Sequence, residues 1–129
     1  MDGLNEPKEP RKIIAPENWE KFLTEFATRN NNRRARFDVF RADGTTEEEG
    51  VESHLEDVKM VADGDKQNVE IIRIGRGEST AEKTHVTITN VRGIAAQYDV
   101  DGSEDALEIT DDQNTLVMLR FESKVDGVS

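Results

Sequence analysis

The stretch IAAQYDVDGSEDALEITDDQNTLVMLRF, residues 94–121, decides the fold class. Its apolar side chains recur every second residue, the period of a strand whose successive positions face opposite sides of a sheet. A hairpin centred on Asp101-Gly102 pairs Tyr98 with Asp105, Ala96 with Leu107 and Ile94 with Ile109. A second, centred on Asp112-Gln113, pairs Ile109 with Leu116, Leu107 with Met118 and Asp105 with Arg120. This register gathers Ile94, Ala96, Leu107, Ile109, Leu116 and Met118 on one face, and a slip of one residue would scatter them. The last strand is apolar on its other face too, at Val117, Leu119 and Phe121, so a second layer must cover it.

That layer is found upstream. Trp19, Phe22, Leu23, Phe26 and Ala27 fall at i, i+3, i+4, i+7 and i+8, the single apolar stripe of an amphipathic helix. Pro16 suits its first position, Glu17 suits the positive end of its dipole, and Ile14 can pack back onto Trp19 as a staple. Asn30-Asn31-Asn32 ends it. Beyond residue 33 the period changes to 2, with Ala35, Phe37 and Val39 alternating against Arg34, Arg36 and Asp38. Further strands are predicted near Val58–Ala62 and Val69–Ile74, flanking the turn Asp63-Gly64-Asp65-Lys66, and near His85–Val91. Residues 43–50 read as a solvated polar loop and Gly75-Arg76-Gly77-Glu78-Ser79 as a flexible one. The expected fold is α+β, mainly β: one N-terminal helix on an antiparallel, barrel-like or strongly bent sheet of about six to seven strands. Residues 13–122 form the single domain, 1–12 a disordered tail and 123–129 a mobile C-terminal tail.

Composition narrows the function classes. The chain has 129 residues, no cysteine and a formal charge of -11, from 17 Lys and Arg against 28 Asp and Glu. Disulfides and thiolate metal sites are therefore excluded. No apolar run approaches the ~18 residues needed to cross a bilayer, and Met1-Asp2-Gly3-Leu4-Asn5-Glu6-Pro7 does not read as a signal peptide. A cytoplasmic protein is expected, without nucleic-acid or membrane partners, because polyanion binding draws its affinity from cationic contacts. One local exception is Arg29, Arg33, Arg34 and Arg36. They could meet an acidic partner, or simply decorate a helix end and the solvent face of a strand.

Four residues are candidates for binding. Tyr98, Asp105 and Arg120 line up on neighbouring strands in the register above. A phenol, a carboxylate and a guanidinium could hold a small polar ligand or part of a partner. The alternative is a cross-strand ion pair with a hydroxyl neighbour. His85, at a strand start, could serve as a base, but a lone imidazole without an identified partner reads as structural. Asp99, Asp101 and Asp105 with Gly102 do not match the spacing of a calcium loop. Gly75-Arg76-Gly77 lacks the remainder of a phosphate loop. His54 and His85 show no paired ligand spacing, and no Ser stands in a nucleophile elbow. No catalytic residue, cofactor or metal is assigned.

In the order of its motifs the chain resembles a family of small bacterial proteins of unknown function. The likeness rests on Trp19-Glu20-Lys21-Phe22-Leu23 with Phe26, Thr84-His85 before Ile88-Thr89-Asn90-Val91, Asp105-Ala106-Leu107-Glu108-Ile109 and the closing Leu119-Arg120-Phe121. It spans about residues 13–122, with 42–53 the least similar part. The resemblance implies an intact domain of helix plus strands, and it draws slight attention to His85. It carries no reaction, ligand or catalytic residue. The expectation is a non-catalytic domain acting by protein–protein interaction or self-association. The alternative is a β-barrel that binds a small ligand or a metal.

Overall fold

The computed structural model describes residues 10–49, 53–76 and 81–122. Among them one helix, α1 (Trp19–Arg29), accompanies nine strands. These are β1 (Arg11–Ile14), β2 (Arg34–Phe40), β3 (Thr46–Glu48), β4 (Ser53–Asp63), β5 (Lys66–Arg76), β6 (Ala81–Ile88), β7 (Val91–Tyr98), β8 (Glu104–Asp111) and β9 (Leu116–Phe121). All pair antiparallel in one sheet of order β1-β7-β8-β9-β2-β4-β5-β6, with β3 added on β2. The sheet is strongly bent but does not close, so the fold is α+β and mainly β. No helix among the described residues is long and apolar enough to cross a membrane.

Two strands go beyond the sequence reading. β1 takes up Arg11 and Lys12, which composition alone places in the tail, and pairs them with Gln97 and Ala96 of β7. β3 lies inside the supposed polar loop and pairs with the end of β2. Both are too short and too exposed to show a period in sequence. Residues 1–9 and 123–129, and Gly77-Glu78-Ser79 of the second loop, lie outside the described residues.

The helix stripe is the covering layer. Leu23 and Phe26 are wholly buried, and the Phe26 ring stacks on Phe121 with centroids 5.7 Å apart. Pro16 opens a single 3₁₀ turn, Pro16–Asn18, and the α-helix proper starts at Trp19. The staple forms: Ile14 is buried, and the Trp19 indole N–H donates to its carbonyl at 3.0 Å. Under the helix, Leu55, Val58, Val69, Ile71 and Ile88 from one half of the sheet meet Ile94, Leu107, Ile109, Leu119 and Phe121 from the other.

The first hairpin register holds for Ile94 with Ile109 and Ala96 with Leu107. Near the turn it changes, because Gly102 takes φ +89° and a three-residue loop closes between Asp99 and Ser103. Tyr98 then pairs with Glu104, and a bulge restores the expected pairing from Gln97 and Ala106 onward. The second hairpin is offset by one residue throughout. Asn114 adopts φ +61°, and Asp111 accepts the backbone N–H groups of Gln113 and Thr115. The loop is therefore Asp112-Gln113-Asn114, one residue longer than the turn assumed from sequence. Leu107 faces Leu119, Ile109 faces Val117 and Ala106 faces Arg120. Val117, Leu119 and Phe121 thus join the core face, while Leu116 and Met118 lie on the outer one.

An ion pair with a buried guanidinium spans the place where β2 and β4 part. Among the described residues β2 pairs with β4 through Arg34–His54 and Ala35–Ser53. Beyond that point Arg73 grips Glu49 with two 2.8 Å hydrogen bonds and donates to the Ala35 carbonyl at 3.1 Å. Its guanidinium lies 4.3 Å from the centroid of Phe37. Glu49 in turn accepts the Phe37 N–H at 2.8 Å. The two side chains satisfy backbone groups that a neighbouring strand would otherwise pair.

Candidate functional site

The longer second hairpin separates the residues aligned in sequence. Arg120 stands on the outer face of β9, where its Nε donates to Asp38 at 3.0 Å and Nη2 lies 3.1 Å from the Met118 sulfur. Asp105 is the extra residue of the β8 bulge, between Glu104 opposite Tyr98 and Ala106 opposite Gln97. Tyr98 faces neither of them; it opens toward the C-terminal end of α1. The expected triad is thus not assembled.

Tyr98 instead lines a cleft of about 440 Å³ with Arg29, Asn30, Arg33, Ser103 and Glu104. The helix ends at Arg29, and Asn32 at φ +74° turns the chain so that Arg33 returns beneath it. Glu104, with a side chain only 7% exposed, is the centre. Arg29 donates to it from Nε and Nη2, and Asn30 adds a 3.1 Å hydrogen bond. Arg33 donates from Nη1 to the Asn30 side chain and to the Glu104 carbonyl, both at 2.8 Å. Its guanidinium stacks 4.2 Å from the centroid of Phe121. Burial lowers the pKa of Arg33, opposed by the charges of Asp105, Glu104, Asp101 and Asp99. Burial and the Glu104 charge raise the Tyr98 phenol above its ordinary value, so its hydroxyl stays protonated at neutral pH. Chemically the cleft offers one phenol, two guanidiniums and a buried carboxylate already neutralised by Arg29.

The arginine cluster therefore splits between two sides of the sheet. Arg29 and Arg33 belong to the cleft. Arg34 pairs with Glu122 at 3.3 Å, and Arg36 lies 3.6 Å from the buried Asp38. On that outer face Arg36, Arg120, Ala106, Gln97 and Arg11 stand in one row across five strands. Arg11 grips Glu108 with contacts of 3.0–3.1 Å, and Gln97 donates to it at 2.7 Å. The carboxylates lie beneath and the guanidiniums above: the Asp38 and Glu108 side chains are 3% and 8% exposed, against 36–51% for Arg120, Arg36 and Arg11.

His85 lies on the exposed side of β6. Its Nδ1 is 2.9 Å from Glu70, whose other oxygen is 3.6 Å from Lys59 Nζ. The His85 hydrogen bond holds the Glu70 carboxyl below its usual range. An imidazole oriented by a carboxylate is half of a base arrangement, yet here the ring is 52% exposed rather than enclosed in a cleft. Among the described residues no group of three or more His, Cys, Asp or Glu is placed to hold a metal ion. Asp99 and Asp101 accept backbone N–H groups within their own turn.

Sequence reasoning missed Glu104, Asn30, Glu49 and Arg73. One signal was available for Arg73, which shares strand parity with Val69 and Ile71 and so points where those apolar residues point. Glu104 carries no such signal, because the bulge beside it decides which face it takes.

Comparison with protein-family models, with curated proteins and with solved structures found no match. The likeness to small bacterial proteins accordingly rests on the motifs alone.

Proposed function

We propose that this protein is a non-catalytic interaction domain that works by contact with another protein or a second copy. The observation that carries the reading is the open sheet. β1 and β6 terminate it, and among the described residues neither has a strand on its outer side. Unpaired edges present rows of N–H and C=O groups ready to accept another chain. The concave interior supports the same reading, being filled by Leu23, Phe26, Leu55, Ile71, Leu107 and Leu119. The cytoplasmic setting expected from the sequence belongs to the same proposal. Size-exclusion chromatography with light scattering across concentrations, together with affinity capture from lysate, tests it. A strict monomer that retains no partner refutes it.

A second reading is favoured by the cleft at Arg29, Arg33, Tyr98 and Glu104. Its volume of about 440 Å³ lies within the ~300–1,000 Å³ range of small-molecule sites. The ligand would be small and polar, held at the rim of the sheet rather than inside it. A thermal-shift screen with metabolites and divalent metals should show stabilisation that grows with concentration. A flat response across the screen removes this reading.

A further inference from the structure

Of the two sheet edges, β1 is the one with a recognisable preference. β6 carries Glu82 and Lys83 side by side at the head of the polar run Glu82-Lys83-Thr84-His85, the mixed-sign pattern that discourages strand addition. β1 carries only Arg11, Lys12, Ile13 and Ile14, in a chain whose formal charge is -11. Its hydrogen-bonding pattern can be derived from one contact. Tyr98 N–H donates to the Pro10 carbonyl at 2.7 Å, which makes Pro10 and Tyr98 a hydrogen-bonded pair. Such pairs alternate along an antiparallel ladder. Lys12 and Ile14 therefore turn their backbone groups toward Ala96 and Ile94, while Arg11 and Ile13 turn theirs away from the sheet.

The charged side chains around this edge are basic apart from Glu25, and the Arg11 guanidinium, about half exposed, already has Glu108 on its inner side. Arg11 and Ile13 lie on the outer face, Ile13 being 70% exposed. On the other side a groove of about 390 Å³ separates β1 from α1, lined by Lys12, Ile13, Lys21, Phe22 and Glu25. Phe22 packs against the core but remains partly open to this groove. Resting on the interaction reading above, we infer that the outer edge of β1, which has no neighbouring strand among the described residues, takes an extended segment of another protein, with two acidic residues against Arg11 and Lys12 and two apolar residues against Ile13 and Ile14. Guanidinium and ammonium groups opposite carboxylates stabilise a cross-strand pair, as do facing apolar side chains. In the antiparallel sense the segment reads apolar-apolar-acid-acid, and one apolar side chain enters the groove toward Phe22. A second copy of this chain fits less well, since antiparallel pairing of β1 with itself would set Arg11 against Ile13 and Lys12 against Lys12, a charge facing an apolar side chain and like facing like.

The test uses the full chain and a fluorescent peptide with the core Val-Val-Glu-Glu. Saturable, salt-sensitive binding is expected, with the Arg11 and Ile13 amides gaining protection from hydrogen exchange. The Lys12 and Ile14 amides should be protected with or without peptide. Ile13→Pro removes an outward N–H that β7 does not use, so the fold should persist while affinity falls by about tenfold or more. Lys21→Glu, on the exposed side of α1, should weaken binding about tenfold without touching the strand. Absence of saturable binding, or binding that Ile13→Pro leaves unchanged, overturns the β1 proposal. Arg11 and Ile13 protection that rises with protein concentration alone makes a second copy the occupant and likewise overturns it. A partner or self-association retained by Ile13→Pro sinks this site while the broader interaction reading stands. A monomer that binds neither peptide nor protein sinks both.

Discussion

Glu49→Ala is expected to destabilise the protein more than Arg73→Met, because the two substitutions leave different charges behind. The Arg73 side chain is 4% exposed and that of Glu49 is 38% exposed. Removing the carboxylate strands a guanidinium that water cannot reach, and breaking a buried pair this way costs about 3–5 kcal/mol. The Phe37 N–H loses its side-chain acceptor as well. Because half-exposed Glu49 is already screened by solvent, the lower end, about 3 kcal/mol, is the working figure. Arg73→Met retains most of the volume packed on Phe37, and the carboxylate it leaves behind can hydrate. It also removes the Arg73 Nε, a buried N–H without a hydrogen-bond partner. What it gives up is the hydrogen bond to the Ala35 carbonyl, a loss of about 1 kcal/mol. Urea denaturation at neutral pH would then separate the two variants by about 2 kcal/mol, or about 1 M in midpoint at a slope near 2 kcal/mol/M. Equal midpoints, or a lower midpoint for Arg73→Met, would falsify the assignment of Arg73–Glu49 as the clasp between β2 and the β4–β5 hairpin. The pH dependence supplies an independent check. Burial pushes the Glu49 carboxyl up, but hydrogen bonds from Arg73 and the Phe37 N–H outweigh it and leave it below its ordinary value of 4.5. A depressed folded pKa gives stability that is present above the unfolded value and lost as pH falls through the folded one. The wild type should therefore lose this contribution below that value, and Arg73→Met should show a flatter acid limb.

Two further outcomes follow from the same geometry. Leu119→Ala should cost about 2–5 kcal/mol, whereas Leu116→Ala on the outer face should cost well under half as much. Chemical denaturation of both variants checks the β8–β9 register, and the reverse order would restore the offset assumed from sequence. Burial raises the Glu108 carboxyl, but hydrogen bonds from Arg11 and Gln97 pull it below its ordinary value. Arg11→Ala should consequently make unfolding less sensitive to acid. A midpoint-against-pH profile indistinguishable from that of the wild type would show that Arg11 does not hold Glu108.

The cleft and the outer face share an arrangement that the sequence hides. In each, a carboxylate sits low and guanidiniums cover it: Glu104 under Arg29 with Arg33 beside it, Asp38 under Arg36 and Arg120, Glu108 under Arg11. The chain is strongly acidic overall, yet its acids are buried at these places and its bases lie uppermost. Net charge reports the whole surface and says little about which sign is uppermost at one spot.

Local periodicity was enough to read the helix over Trp19–Ala27, the change to strands after residue 33 and the apolar set Ile94, Ala96, Leu107 and Ile109. Each follows from the geometry of a single element, whose period is printed along the chain. The same reading placed Leu116 and Met118 on the wrong face, because one residue of loop length inverts a whole strand and Asn114 gave no periodic warning. It also aligned Tyr98, Asp105 and Arg120, which the bulge at Asp105 and the longer loop send to different sides. Hydrophobic alternation along the chain, then, settled the class of fold and most of the core. Which charges meet, where β2 and β4 part and which strands end the sheet were decided only in three dimensions. Those outcomes depend on contacts between residues as far apart as Arg11 and Glu108 or Arg29 and Glu104, and no local pattern encodes such distances.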